Sequence, residues 1–405
     1  MDWSFLIEDK DALCVSTDTR NLPQGCVFFA LKGDNFDGNR FAVQALEQGA
    51  LMAVIDDPKA FVGPRTVLVP DTLKALQDLA RAWRRHLALP IIGITGTNGK
   101  TTTKELMAVV LKTKYNIHYT QGNLNNSIGV PLTLLQLTRS HALAIVEMGA
   151  SHPGDINELV RVAEPDYGLI TNVGRAHLQG FGSFEGVQRT KAELYDWLIA
   201  HSGIAFANAD NAFLSDMWHQ AGARQGGASC RRIEYRWMPM PNGTHLVGDY
   251  NAENIAAALC VGEYFGVSRE NGLAAIRAYV PSNNRSQRID TVRNTLVVDA
   301  YNANPTSMAA AINAFDGDTF ILGGMRELGD YSHVEHQNIV NMLAERKADK
   351  VMLVGPEWDD TTSPYPVYEN VDAFHAVLEQ TPLTGRKILL KGSRGIQLEK
   401  LLDVL

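Results

Sequence analysis

Cysteine is scarce: the 405-residue chain has four, Cys14, Cys26, Cys230 and Cys260, widely spaced and without a CxxC pair. That leaves no zinc signature and fits the thiol usage of a reducing cytoplasm. Positive charge is not in excess either: 37 Lys and Arg stand against 45 Asp and Glu, a net charge of −8. A nucleic-acid binder would carry a basic surface, so that class is not expected. No uninterrupted apolar run approaches the ~20 residues of a membrane helix, which argues against membrane insertion. The opening "MDWSFLIEDKDALC" has no basic segment followed by an apolar run, so no signal peptide is expected. Internal repeats and low-complexity stretches are also missing. These absences leave an acidic, cytoplasmic protein with a sizeable core, since 45% of its residues are hydrophobic.

What is present is an alternation of short β-branched runs with helical patterns, the rhythm of parallel α/β sheets. "CVFFALKG" (26–33), "MAVID" (52–56) and "TVLVP" (66–70) read as strands, followed by a helix over 71–88 with Asp71 as its N-cap. Pro90 ends that helix and marks a first boundary. Strands are expected at "IIGITG", "ALAIVEM" (142–148), "YGLITNV" (167–173) and "GIAFANA" (203–209), and a helix at 251–266. The polar "PSNNRSQR" (281–288) marks a second boundary. Four more apolar strands follow at 295–300, 319–324, 350–355 and 387–392, a Rossmann-like unit. The expected domains are therefore 1–88, 89–283 and 284–405.

"GITGTNGKTTTKEL" carries the first chemistry. A buried strand runs into Gly96 and Gly99, then Lys100-Thr101, then a helical pattern. The strict phosphate-loop spelling wants a glycine where Ile94 stands. The two glycines that remain still let the backbone curl its N–H groups inward. Lys100 suits β/γ-phosphate charge, Thr101 suits Mg²⁺, and the helix N-terminus adds its positive end. Glu147 ends the next strand, where α/β sheets bind ligands, and a carboxylate there can hold Mg²⁺. His177 follows another strand and reads either as a structural histidine or as a ligand. Lys191 lies in the stripe Val187, Leu194, Leu198 of a helix; it either snorkels to water or is desolvated and neutral. "GNLNNSIGVPLTLL" (122–135) packs three asparagines, a turn cluster or a set of donors and acceptors for an amide-rich ligand. In "VVDAYNANPTSM", Asp299 can take a ribose hydroxyl and Asn302 a base edge. Arg288 either lies on the surface or reaches across to a γ-phosphate.

Taken in order, these residues resemble the Mur ligases, the ATP-dependent amide-forming enzymes of peptidoglycan synthesis. "TGTNGKTTTKE", "GNLNNSIGVPLTLL", "EMGASHPGDI", "AHLQGFGSFEGV", "DAYNANPTSM", "GGMRELGDYSHVEH" and "LLKGSRG" carry the resemblance over nearly the whole chain. The resemblance implies an N-terminal α/β domain for the UDP-sugar, a central P-loop-type ATPase domain, and a C-terminal Rossmann-like domain for ATP and the incoming dipeptide. It implies ATP contacts at Thr97, Asn98, Gly99, Lys100, Thr101, Thr102, Asn254, Arg288, Asp299 and Asn302. Thr101, Glu147, His177 and a carbamylated Lys191 fall on the Mg²⁺ side, with Lys100, Lys191, His177 and Arg288 in catalytic roles. Thr19, Arg20 and Gly33 lie in the UDP-sugar region, and Asn123, Asn125 and Asn126 along the sugar-peptide path. Within the family the motifs look like those of the member joining D-Ala-D-Ala to UDP-N-acetylmuramoyl-tripeptide, a monomer by expectation. The alternative is the member adding the third amino acid, whose "DNPR" this chain lacks. Tyr250 stands where the family has a histidine before the Asn of its adenine-side motif.

Overall fold

The structure is a computed structural model describing residues 3–228, 230–282 and 284–405. Asn283, at the expected second boundary, lies outside the described residues.

Among the described residues, three larger sheets follow one another along the chain, with a two-stranded pair beside the first. The first has four parallel strands in the order Val15–Ser16, Val27–Phe29, Met52–Ile55, Thr66–Leu68. The run read as one strand over 26–33 is split. Val27–Phe29 joins the sheet, and Lys32–Gly33 pairs antiparallel with Phe36–Asp37. The chain turns between them, Leu31 N donating to Phe29 O, and Gly38 closes against Leu31 O. A Cβ on Gly38 would meet that oxygen at 2.6 Å.

Helix Thr72–Leu87 starts where Asp71 accepts from Lys74 N, the cap read from the sequence. Its apolar face does not stay with the first sheet. Trp83 is fully buried and its indole donates to Leu137 O at 3.0 Å. One hydrophobic core runs from Trp3 and Phe29 through Trp83 to Leu134, Ile170 and Leu198. The first two sheets are thus joined by buried apolar packing, the main stabilising term in such an interface.

The second sheet has six parallel strands in the order Arg231–Tyr235, Ile204–Asn208, Tyr167–Ile170, Ile91–Thr95, Leu143–Glu147, Ile117–Tyr119. Ile91–Thr95 is central and buried throughout, and its loop opens helix Lys100–Lys112. Glu147 pairs with Ile94, and Ile170 with Thr95, so two neighbouring strands end beside that loop. From Ile91–Thr95 the chain moves first to one side of the sheet and later to the other. This makes the loop a topological switch point, where open α/β sheets take ligands.

The third sheet orders Gln287–Asp290, Thr295–Asp299, Lys387–Lys391, Thr319–Gly323, Lys350–Val354, Val367–Tyr368; only the first pairing is antiparallel. Its carboxyl ends face those of the second sheet. No helix among the described residues is long and apolar enough to cross a membrane.

Candidate active site

A cleft of ≈ 760 Å³ opens between the second and third sheets. Its floor is the loop at 96–99. Gly96 has φ +142 and a Cβ there would lie 2.0 Å from Thr171 Oγ1; Gly99 has φ +78 and a Cβ would lie 2.5 Å from Asn254 Oδ1. Both positions need glycine, for conformation and for space. The missing third glycine is explained by Ile94, which sits inside the strand, fully buried, before the loop begins.

Lys100 opens the helix and folds back, its Nζ donating to Gly96 O at 2.7 Å and Thr97 O at 3.1 Å. Burial lowers its pKa from the usual 10.5 to about 8; Glu147 opposes the shift and Arg285 adds to it. The ammonium is thus held without a carboxylate close enough to satisfy it. Thr101 Oγ1 donates to Glu147 at 3.0 Å, Asn125 Nδ2 donates to Glu147 Oε1 at 2.8 Å, and Lys104 Nζ stands 3.6 Å from Oε2. Glu147 and Lys104 are both buried, and Lys104 also donates to Thr120 O at 2.6 Å. Asn254 reaches the same helix through Thr103 Oγ1.

Lys191 is 2% exposed, between Val187, Leu194 and Leu198, all fully buried. The desolvated alternative is therefore the one found. Its ammonium lies 5.4 Å from the centre of the Phe181 ring and has no hydrogen-bond or ion-pair partner among the described residues. Burial drives it well below the ordinary lysine range, and Lys100 pushes the same way. It is not among the residues of the cleft wall.

The opposite wall comes from the third sheet. Asp299 accepts from Lys391 Nζ and from Ser286 N, and Tyr301, Asn302, Thr306 and Glu327 border the same space. Contacts tie the walls together. Asn304 Nδ2 donates to Asn98 Oδ1 at 2.8 Å, Arg175 N donates to Thr306 Oγ1 at 3.1 Å, and Arg175 pairs with the buried Glu335 at 2.9 Å. Glu327 meets the ring of His177.

Of the residues singled out from the sequence, Thr97, Asn98, Gly99, Lys100, Thr101, Thr102, Asn125, Asn126, Glu147, His177, Asn254, Asp299 and Asn302 border the cleft. Arg288 does not, and that expectation is corrected. It lies exposed on the outer antiparallel strand, paired with Asp290 at 3.1 Å. Arg285, three residues earlier, borders the cleft instead. Asn123, Thr19, Arg20 and Gly33 are not in the wall; Arg20 is exposed and closes on Asp18 at 2.6 Å. Tyr250, read from the sequence as replacing a family histidine, borders the cleft too, whereas sequence reasoning passed over Lys104, Tyr301, Glu327 and Lys391. Lys391 carried a readable signal, a charge closing an apolar strand, as Glu147 and Asp299 do. Lys104 carried one too, a cation one turn beyond Lys100.

An acidic side chain and a hydroxyl beside a cationic glycine loop, faced by a second α/β wall, define a nucleotide-dependent enzyme whose chemistry occurs between two domains. Three segments match family descriptions: residues 13–84 "Mur ligase family, catalytic domain", 94–226 "Mur ligase middle domain", and 284–393 "Mur ligase, glutamate ligase domain". The chain belongs to the Mur ligase family. It is 35% identical to the UDP-N-acetylmuramoyl-tripeptide–D-alanyl-D-alanine ligase of Bacillus subtilis, over 96% of this chain and 92% of that one. The enzyme of that name from Escherichia coli is 33% identical over 96% and 93%. Among solved structures it resembles MurF of Thermotoga maritima in complex with ADP, with TM-score 0.84, 27% identity and 98% of each chain covered. MurF of Acinetobacter baumannii gives 0.83 and 28%, over 96% and 92%.

Proposed function

We infer that this chain is an ATP-dependent ligase that joins D-Ala-D-Ala to UDP-N-acetylmuramoyl-tripeptide in peptidoglycan synthesis. The observation that carries the reading is the cleft itself. A phosphate-loop lysine, a buried carboxylate with its hydroxyl partner, and a facing wall with Asp299 and Asn302 converge on one space. Full-length likeness to ligases of that name supports the choice of substrates. The third-residue ligase is the weaker alternative, and a solved diaminopimelate ligase matches with TM-score 0.52 and 18% identity, a likeness of fold alone.

A carboxylate repels an incoming amine. An oxygen of the tripeptide's terminal carboxylate takes the γ-phosphoryl group of ATP, and ADP leaves. The amine of D-Ala-D-Ala then attacks the acyl carbon, loses a proton, and phosphate departs with that oxygen. Lys100 and Arg285 offset charge on the transferring group. Asp299 suits the ribose hydroxyls and Asn254 steadies the loop. The contacts from Asn98 and Arg175 to the third domain close the cleft and exclude water.

Mg²⁺ fits the residues present: Thr101 and Glu147 give hard oxygen donors beside the phosphate loop, with His177 across from them. No group of three His, Cys, Asp or Glu forms a metal cage among the described residues. That suits a cation bound through one carboxylate and substrate phosphates. Bound there, it would supply positive charge against the phosphate oxygens. Lys191 fits carbamylation, because an unpartnered, desolvated amine is neutral and can add CO₂ to become an anion facing the same cation. Thr19, Arg20 and Gly33 are proposed to hold the UDP-sugar end, and Asn123, Asn125 and Asn126 its peptide. The enzyme is proposed to act as a cytoplasmic monomer.

A phosphate-release assay tests this, offering UDP-N-acetylmuramoyl-tripeptide with D-Ala-D-Ala and, separately, UDP-N-acetylmuramoyl-dipeptide with diaminopimelate. Release with the first pair and not the second is expected; release with the second pair and not the first would overturn the assignment.

A further inference from the structure

Resting on that ligase reading, the reaction brings one anion that is never consumed, the terminal carboxylate of the incoming dipeptide. The cations around the cleft are mostly committed elsewhere. Arg285 lies over the Tyr301 ring at 3.9 Å and helps lower the Lys100 pKa. Lys391 is held by Asp299, and Arg326 by Glu357 at 3.3 Å. Arg394 is different. It is exposed and has no carboxylate partner among the described residues. Its guanidinium lies 5.4 Å from the centre of the Tyr301 ring, and Tyr301 borders the cleft.

The segment carrying Arg394 is anchored while its side chain is free. Gly392 packs on Gly323, where a Cβ would meet Cα at 2.8 Å, and Ser393 Oγ accepts from Arg326 N at 3.0 Å. The loop follows strand Lys387–Lys391, at the carboxyl edge of the third sheet where such sheets take ligands. A dipeptide spans about 7 Å when extended, so its carboxylate must sit well away from the reacting amine. A cation set back from the phosphate loop, behind a cleft-wall aromatic, meets that requirement.

We propose that Arg394, held over Tyr301, receives the terminal carboxylate of the incoming dipeptide and so sets specificity for a free-acid dipeptide. The test measures kcat/KM of the full chain for D-Ala-D-Ala and for its C-terminal amide, with ATP and UDP-N-acetylmuramoyl-tripeptide saturating. Wild type, Arg394→Gln and Arg394→Lys are compared. A charge-assisted hydrogen bond corresponds to roughly 10- to 100-fold. Wild type is expected to prefer the acid by about that factor. Arg394→Gln should lose the preference by falling on the acid alone, with KM for ATP unchanged, and Arg394→Lys should restore part of it. Equal losses on acid and amide, or a raised KM for ATP, would overturn the assignment. Wild type inactive with every amine would overturn the ligase reading, and this one with it.

Discussion

Replacing Lys100 with Met should stabilise the protein at neutral pH while abolishing ATP turnover. Burial lowers the Lys100 pKa from 10.5 to about 8. At about 1.4 kcal/mol per unit, that sets an upper bound of about 3 kcal/mol for the cost of burying the charge. Lys100 is only partly withdrawn from solvent, so screening reduces this to roughly 1–2 kcal/mol. Lost bonds to the Gly96 and Thr97 carbonyls offset about 1 kcal/mol more. Between pH 8 and 10.5 the unfolded state binds more protons at this site than the folded state. Stability from this group therefore rises with pH across that window, and the penalty is present in full below it. Urea denaturation of both proteins from pH 7 to 10 reads the difference. The variant's advantage should be at most about 1 kcal/mol at pH 7 and shrink as pH passes 8. A variant less stable at pH 7, or a difference that does not change with pH, would refute the idea of a lysine held at a cost for phosphate.

Gly99→Ala should lower stability by about 1–2 kcal/mol and weaken ATP binding more than tenfold, because φ +78 disfavours a side chain and its Cβ would sit 2.5 Å from Asn254 Oδ1. Calorimetric titration with ATP checks it; parental affinity would contradict the packing. Lys191→Ala should keep the fold and be nearly inactive, with partial recovery on adding a small carboxylate, measured by phosphate release. Parental activity in the plain variant would count against carbamylation.

The long buried strands and the phosphate loop were legible because one residue type in one spacing has one physical use. The strands missed were Val15–Ser16, Phe36–Asp37, Ile117–Tyr119, Arg231–Tyr235, Gln287–Asp290 and Val367–Tyr368. Five of them are edge strands of the three larger sheets and Phe36–Asp37 belongs to a two-stranded pair, so one face or one flank meets solvent and the apolar signal is weak. "RRIEY" carries three charges and, among the described residues, pairs only with Ile204–Asn208. Lys191 was ambiguous because periodicity places a residue on a face without saying how far the face is covered; helix Asp155–Ala163 and Phe181 settle that. Arg285 and Arg288 were not separable in "NNRSQR". Strand pairing turns Arg288 outward, and pairing is a property of the sheet rather than of the segment. The contacts from Asn98 to Asn304 and from Arg175 to Glu335 join residues far apart in the chain, which no local pattern announces.

The most direct measurement follows an oxygen atom. If Lys100, Thr101 and Glu147 serve phosphoryl transfer to a carboxylate, tripeptide nucleotide labelled with heavy oxygen in its terminal carboxylate should pass one labelled atom into the phosphate released with D-Ala-D-Ala. Phosphate carrying no label would contradict acyl-phosphate chemistry in this cleft.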